Sequence, residues 1–372
     1  MRIALVLAGP FPDLRGSQVL VRHLADGIRS RGHAVHVVTY GAVPPSGPPG
    51  PRLERFARDA LLVARLWRTV RRERIDVIHA HNYEAAIAGL AVGRLARRPL
   101  VYHGHNALAE ELPTYFRSAL GRRLAGVIGR LADAHVPRRA DFCIAVSEDL
   151  GRILRARGVA EDGLACIVPV TAPADDVAPP VRADSNGLVC YAGNLDGYQN
   201  LEFLLHCFAR VRARVPSARL VIVTHAARPP RLRGPTAGVE VTRADTYAEV
   251  RALLDRADVA VCPRAERSGF PMKLLNYMAA GKAIVASAGS AKGLCDGITG
   301  RVVLDGDEAG FAAAIADLLE DAPARARLGA AARAVVDDPA AWETVLDRIE
   351  AIYRRVLAVA PPSGVSPVVC TE

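Results

Sequence analysis

The sequence is poor in lysine and has no long apolar run. Lysine occupies only three of the 372 positions (273, 282 and 292), so arginine carries nearly all of the positive charge. No apolar run reaches the ~18 residues of a membrane-spanning helix. Residues 1–6 have the pattern of a strand and not that of a signal peptide. We therefore expect a cytoplasmic protein whose contact with the inner face of a membrane would be peripheral.

Motifs for several common cofactors are also missing. The seven cysteines are scattered without a Cys-x-x-Cys pair, which indicates reduced core residues. The first strand–loop–helix segment lacks Gly-x-Gly-x-x-Gly, which argues against a nicotinamide site. Residues 121–126 have the glycine spacing of a P-loop, but Val127 and Ile128 stand where that motif has Lys and Ser or Thr.

The positive charge is concentrated in the first half of the chain. Residues 1–180 contain 25 arginines and 17 acidic residues, a net charge of +8, whereas residues 181–372 have a net charge of +1. Such an asymmetry favours an acidic partner on the first half, which could be an anionic membrane, a nucleic acid or an anionic substrate. The alternative is a surface of solvated arginines without a partner.

In each half of the chain, short apolar runs alternate repeatedly with amphipathic segments. This pattern predicts two doubly wound α/β domains that face each other. The first spans residues 1–170 and the second 187–340, and a Pro- and Asp-rich linker at 171–186 separates them. Residues 341–358 form a further helix, and residues 359–372 a flexible tail.

Residues 266–281 follow an apolar strand and contain a Gly-Pro loop and a short helix. Because ligands of open parallel sheets bind at the carboxyl ends of strands, this corner is a candidate site. The free N–H groups and dipole of a helix start favour an anion, and Lys273 adds a positive charge one turn later. The local pattern thus predicts a phosphate or carboxylate ligand.

The first half offers further candidates at its own strand ends. Gly16 and Ser17 lie at a loop-to-helix corner where N–H groups could face a phosphate. His81 ends the third predicted strand, while His105 and Asn106 follow the fourth. A single loop histidine is often structural or solvated, and both readings stay open for His105.

Two basic amphipathic helices are predicted in the first half, over residues 55–74 and 114–139. In the second, Phe116, Leu120, Leu124, Val127 and Leu131 form an apolar stripe at helical spacing among arginines. Such a helix can lie on an anionic bilayer. The competing interpretation is a helix that packs the stripe into the core and keeps its charged face in water.

Five motifs in order resemble retaining family 4 glycosyltransferases of the GT-B fold. They lie at residues 31–35, 76–81, 145–148, 191–194 and 269–282, and the resemblance covers residues 2–356. It implies two Rossmann-like domains with a C-terminal helix that crosses back to the first. It also implies a nucleotide-sugar donor on the second domain, a glycan or lipid-linked acceptor on the first, and no nucleic acid partner.

The same resemblance implies sugar transfer with retention of configuration, usually without a metal or other cofactor, and a role for His105 in orienting the sugar. His81 and Asn106 fall on the acceptor side. The donor-side residues it implies, together with the local candidates named above, are Gly16, Ser17, Asn194, Gln199, Glu266, Ser268, Gly269, Phe270, Pro271, Lys273, Leu275 and Asn276.

This sequence departs from the family pattern in its donor loop. The usual Glu-x7-Glu pair falls on Ser268 and Asn276, and the basic residues that commonly hold the diphosphate fall on Asn194 and Gln199. Glu266 and Lys273 are the candidates to replace the lost charges. The departures motivate two alternatives to an active transferase, namely a non-catalytic GT-B protein that binds a nucleotide or glycan, and a nucleotide-sugar epimerase.

Overall fold

The computed structural model describes residues 1–12, 16–42, 53–170, 187–226 and 232–359. These residues contain two parallel six-stranded sheets. The strands of the first sheet are β1 (Arg2–Leu7), β2 (Ala34–Val38), β3 (Val77–His81), β4 (Leu100–Gly104), β5 (Phe142–Ala145) and β6 (Leu164–Cys166). The strands of the second are β7 (Leu188–Ala192), β8 (Arg219–Thr224), β9 (Val239–Arg243), β10 (Val259–Cys262), β11 (Ala283–Ser287) and β12 (Arg301–Val303).

Helices cover both sheets, as the near-continuous apolar strands require. They are α1 (Gly16–Ser30), α2 (Leu53–Arg72), α3 (Asn82–Ala96), α4 (Leu108–Glu111), α5 (Ala119–His135), α6 (Glu148–Ala156), α7 (Leu201–Arg214), α8 (Tyr247–Asp255), α9 (Met272–Ala279), α10 (Glu308–Glu320), α11 (Ala322–Val336) and α12 (Pro339–Val359). No helix of the described ranges is both long enough and apolar enough to cross a membrane.

The strand order places one switch point in each sheet. The orders are β2-β1-β3-β4-β5-β6 and β12-β11-β10-β7-β8-β9, and every pair is parallel. Successive crossovers leave in opposite directions from β1 in the first sheet and from β7 in the second. The loops at the carboxyl ends of β1 and β3 in the first sheet, and of β7 and β10 in the second, therefore become the candidate ligand-binding edges.

Helix α12 returns to the first sheet, as predicted for the crossover helix. Trp342, Ile349 and Tyr353 are buried in the same core as β1 and α1. A Cβ atom at Gly27 of α1 would lie 2.8 Å from the Trp342 ring, so the glycine allows the two helices to approach. Because this helix follows the second sheet in sequence, its packing ties the two halves of the chain together.

The structure differs from the predicted elements at a few points. The short strands β6, β9 and β12 were not predicted, and the helix expected at 114–139 begins only at Ala119. Ser118 accepts a hydrogen bond from the N–H of Gly121 and caps that helix, after a separate 3-10 turn at Leu112–Tyr115. The linker predicted at 171–186 and the tail beyond residue 359 lie outside the described residues, so the domain boundaries stay a prediction.

Tyr353 gives a direct test of how α12 supports the first domain. Its hydroxyl lies 2.6 Å from Nδ1 of His79, and both side chains are fully buried. Tyr353→Phe would leave the imidazole nitrogen without a partner in the core. We expect the free energy of unfolding, measured by urea denaturation, to fall by about 1–2 kcal/mol. Tyr247→Phe, at a half-exposed tyrosine, is the control and should change it by less than about 0.5 kcal/mol; equal effects would contradict the role of Tyr353.

Candidate active site

Four histidines meet at the carboxyl ends of β3 and β4. His79 and His81 lie two residues apart on β3. His103 lies beside His81 on β4, and His105 lies two residues after His103. Because side chains two residues apart share a face of a strand, all four imidazoles stand on one side of the sheet. Their ring centroids are 4.5–5.3 Å from those of their neighbours in this cluster.

Hydrogen bonds connect these rings in pairs. Nε2 of His79 lies 3.1 Å from Nδ1 of His103, and Nδ1 of His81 lies 3.0 Å from Nε2 of His105. Burial lowers the pKa of His79 to about 3 and that of His105 to about 4, so both are neutral at pH 7. His105 is the only one of the four that is not fully enclosed, and the next residue, Asn106, is also partly exposed.

Three of these imidazoles are also close enough to share a metal ion. One nitrogen from each of His79, His81 and His103 can be chosen so that all lie within 4.8 Å of one another. However, both nitrogens of His79 are already engaged, with Tyr353 and with His103. We therefore interpret the cluster as a hydrogen-bonded network of neutral rings.

The loop between β10 and α9 reaches from the second domain to this cluster. Ser268 is completely buried there and bonds to the first domain at three points. Its hydroxyl accepts from the N–H of Ala107 (2.9 Å), its carbonyl accepts from the hydroxyl of Ser147 (2.6 Å), and its N–H donates to Glu110 (3.1 Å). Ser268 thus joins the domains, a role that the motif comparison did not predict.

The neighbouring residues of the loop also contact the first domain. A Cβ atom at Gly269 would lie 3.2 Å from the carbonyl oxygen of His105 and would overlap the guanidinium group of Arg264, so a side chain there would displace Arg264 from its present position. Phe270, after Gly269 and before the N-cap residue Pro271, packs with Met272 against the core of the first domain.

The two loop-to-helix corners predicted from the sequence lie against each other. A Cβ atom at Gly16 would come within 2.9 Å of the Met272 side chain, which places the start of α1 beside the start of α9. Ser17, next to Gly16, donates its hydroxyl hydrogen to the side chain of Gln18. Leu275 is buried within α9, while Asn276 is partly exposed and its side chain has no hydrogen bond to any described residue.

The loop between β10 and α9 contains a buried ion pair. Arg264 and Glu266 lie 2.8 Å apart, and Glu266 accepts a further bond from the Ser268 hydroxyl at 3.3 Å. Burial raises the pKa of Glu266, although Arg264 opposes the shift. The guanidinium group of Arg264 also stacks 5.0 Å from the Tyr198 ring. Sequence reasoning missed Arg264; its position directly beyond a buried strand was the available signal.

Lys273 reaches the loop that follows β7. Its Nζ donates to Oε1 of Gln199 at 2.7 Å and lies 3.9 Å from the centre of the Tyr191 ring. Burial lowers the pKa of Lys273 to about 7. Asn194, on the same loop, donates its amide hydrogen to Tyr198 at 2.9 Å. The lysine therefore meets Gln199, one of the two positions that hold basic residues in the family pattern.

Comparisons with known proteins agree with this architecture. Residues 14–169 match the family described as Glycosyltransferase Family 4, and residues 186–321 match Glycosyl transferases group 1. The chain is 28% identical to the phosphatidyl-myo-inositol mannosyltransferase of Mycobacterium tuberculosis over 387 residues, covering 96% of this chain and 97% of that protein. It is 26% identical to the glycogen synthase of the same organism over 322 residues, covering 82% and 72%.

A solved structure has the same fold. The Anabaena protein HepE, crystallised in complex with UDP and glucose, superposes with a TM-score of 0.71 at 18% identity and covers 95% of this chain and all of its own. With both halves matched in order and the two-sheet architecture in common, this chain belongs to the GT-B glycosyltransferases built from a family 4 and a group 1 domain, and it is a hexosyl-type transferase.

Proposed function

We propose that the chain moves a hexose from a nucleoside diphosphate sugar to a glycan or lipid-linked acceptor, with retention of configuration and without a metal. The observation that carries the proposal is the meeting of two strand edges: residues 268–273 lie against the segment that contains His105. A donor bound at the edge that contains residues 268–273 would have its sugar next to the edge that contains His105. UDP is the first nucleotide to test, because a protein of the same fold binds it.

The donor diphosphate would bind at the amino end of α9. No described side chain caps this end, so its N–H groups and dipole favour an anion. Lys273 contributes the charge, since its hydrogen-bond partner Gln199 is a neutral amide. A cation and oriented N–H groups stabilise a leaving diphosphate without a metal. This arrangement compensates for the uncharged residues at positions 194 and 199.

His105 would orient the sugar and would not act as the base. A pKa of about 4 makes its imidazole a weak proton acceptor at neutral pH. This favours a reaction in which the donor's own phosphate takes the acceptor proton on the face from which it leaves. Retention follows from such a same-face reaction. The proposal therefore needs no carboxylate at Ser268, which is engaged between the domains.

The alternatives predict different reaction products. An epimerase would convert one nucleotide sugar into its isomer, and a non-catalytic protein would bind a ligand and leave it unchanged. Mass spectrometry of a panel of nucleotide sugars, incubated with the protein and candidate acceptors, distinguishes the three. A glycosylated acceptor, or slow hydrolysis to free sugar without isomer, is expected. Lack of binding to every nucleoside diphosphate at millimolar concentration in calorimetry would contradict the proposal.

Lys273 is the residue to replace first. We expect Lys273→Met to weaken UDP binding, measured by calorimetry at pH 7, by about tenfold or more, because one charge-assisted hydrogen bond contributes about 1.5–3 kcal/mol. Arg256→Met is the control: it removes the same charge from an exposed residue near the opposite end of β10. Equal affinity in the two variants would remove Lys273 from the site.

The same lysine should make binding depend on pH. Its pKa is about 7 in the free protein, and a bound diphosphate should raise it. Binding above pH 7 then takes up a proton, so UDP affinity should fall as pH rises, by up to about tenfold per unit. Below pH 7 the lysine is already charged and this contribution levels off. Titrations from pH 6 to 9 should show the slope in the wild type and not in Lys273→Met.

Helix α5 supports a peripheral membrane site on the acceptor side. Its buried face consists of small residues, including Ala125, Gly126 and Gly129, and the last of these contacts the backbone of Ala109. Its large aliphatic side chains point outward and are 43–78% exposed: Leu120, Leu124, Val127, Ile128 and Leu131. A core-packing helix would bury these side chains, so the core-packing interpretation of the stripe was wrong.

Basic residues surround this exposed apolar face. Arg117, Arg122, Arg123 and Arg130 are exposed, and within the described ranges none forms an ion pair with a carboxylate. An apolar face of this size with unpaired cations fits an anionic bilayer. Helix α2 is the weaker candidate, because among its described side chains the large apolar ones that are exposed are Phe56 and Leu61. A lipid-linked acceptor would then enter from the membrane on which α5 rests.

Vesicle sedimentation tests the membrane site. Wild-type protein should bind vesicles that contain phosphatidylglycerol, and salt should weaken the binding. Leu124→Ser with Ile128→Ser should reduce it by about tenfold or more, because both aliphatic side chains would leave the bilayer boundary. Leu304→Ser, at an exposed leucine of the second domain, is the matched control. Equal binding to neutral vesicles, or no difference between the variants, would contradict the proposal.

A further inference from the structure

We infer that His81 is a positioning residue that selects the tautomer of His105. In this arrangement Nδ1–H of His81 donates to Nε2 of His105, and His105 presents its own Nδ1–H to the cleft between the domains. The inference rests on the proposed function in one respect: the group that receives this N–H is taken to be an oxygen of the bound sugar.

The two rings are held at hydrogen-bond distance by the backbone. The 3.0 Å separation joins Nδ1 of His81 to Nε2 of His105, with the rings inclined at 70°. His81 is fully buried, whereas His105 is partly exposed. Both imidazoles are neutral at pH 7, since burial lowers the pKa of each. One proton therefore lies between the two nitrogens, and either ring could supply it.

The opposite nitrogen of His81 decides which ring donates. Nε2 of His81 is buried and has no hydrogen-bond partner within the described part of the chain. If His105 donated, His81 would carry its proton on this nitrogen, as an N–H group buried without an acceptor. If His81 donates, the same nitrogen has only a lone pair. An orphaned buried N–H is the rarer and costlier state, so His81 donates.

The neighbouring pair is not decided by the same criterion. Nε2 of His79 lies 3.1 Å from Nδ1 of His103, and Nδ1 of His79 lies 2.6 Å from the Tyr353 hydroxyl. If His103 donates, the buried Tyr353 hydroxyl hydrogen has no acceptor among the described residues; if Tyr353 donates, the Nε2–H of His103 has none. The assignment of the outer pair, His81 and His105, therefore depends on Nε2 of His81 alone.

The consequence lies at His105, whose Nε2 is occupied as an acceptor. Its Nδ1 carries the proton and has no hydrogen bond to any described residue. A neutral N–H donor recognises an oxygen that accepts, such as a hydroxyl or ring oxygen of the sugar. The opposite tautomer would present a lone pair there and would repel the same oxygen. His81 thereby determines which sugar atoms His105 can contact.

Nitrogen-15 NMR of histidine-labelled protein tests the tautomer without any substrate. Long-range proton–nitrogen correlations distinguish Nδ1–H from Nε2–H, and His105→Gln and His81→Gln variants assign the signals. We expect His81 and His105 both as Nδ1–H. Nε2–H on His105 in the wild type would overturn the inference. This readout does not depend on activity, so a failure of the proposed function leaves it intact.

Substitutions of His81 then test its effect on the reaction. His81→Asn keeps a donor, because its amide nitrogen lies the same number of bonds from Cα as Nδ1, whereas His81→Leu removes it. We expect His81→Leu to shift His105 toward the Nε2–H tautomer. It should also lower kcat about tenfold, which corresponds to the loss of one hydrogen bond. His81→Asn should restore both the tautomer and kcat. His36→Leu, on β2 of the same sheet, is the control. An unchanged His105 tautomer in a folded His81→Leu protein would overturn the inference.

Discussion

The contact of Ser268 with the first domain is the constraint on which the site depends. Three hydrogen bonds, two of them to its backbone, hold this buried residue against Ala107, Glu110 and Ser147. With the loop held there, Gly269 lies beside the His105 carbonyl, and α9 begins at the domain interface. A carboxylate at position 268 would be buried among these partners, so the serine suits this interface better than the acid of the family pattern.

The titratable groups of the site differ in their charge states. The histidines are neutral because burial opposes their protonation, and Arg264 is paired with Glu266. Lys273 differs, since it bonds to a neutral amide and its pKa falls to about 7. An incoming diphosphate would find one cation near its titration point and a helix end without a cap. Under the proposed function, these features would let the loop receive an anion although residues 194 and 199 are uncharged.

Helix α5 shows where pattern reading is ambiguous. Its stripe of aliphatic residues at helical spacing was visible in the sequence, but a core-facing stripe and a membrane-facing stripe have the same period. The structure shows only that the stripe points away from the core, because Gly129 packs directly on the backbone of α4 and leaves no room for larger residues on that side. Strands β6 and β12, of three residues each, and the half-exposed β9 lacked the apolar run that identified the others.

Local chemistry in the sequence was sufficient for the two parallel sheets, and the family resemblance added the returning helix. The sheets depend on periodicity, on turn residues and on strand ends, which are properties of neighbours along the chain. The anion-binding corner at 269–273 and the role of His105 stay predictions. Tertiary structure alone decided that Ser268 joins the domains, that Lys273 meets Gln199, and that His79, His81 and His103 form one network with Tyr353. Those contacts join residues between 24 and 274 positions apart, and their geometry depends on how the two sheets and α12 pack.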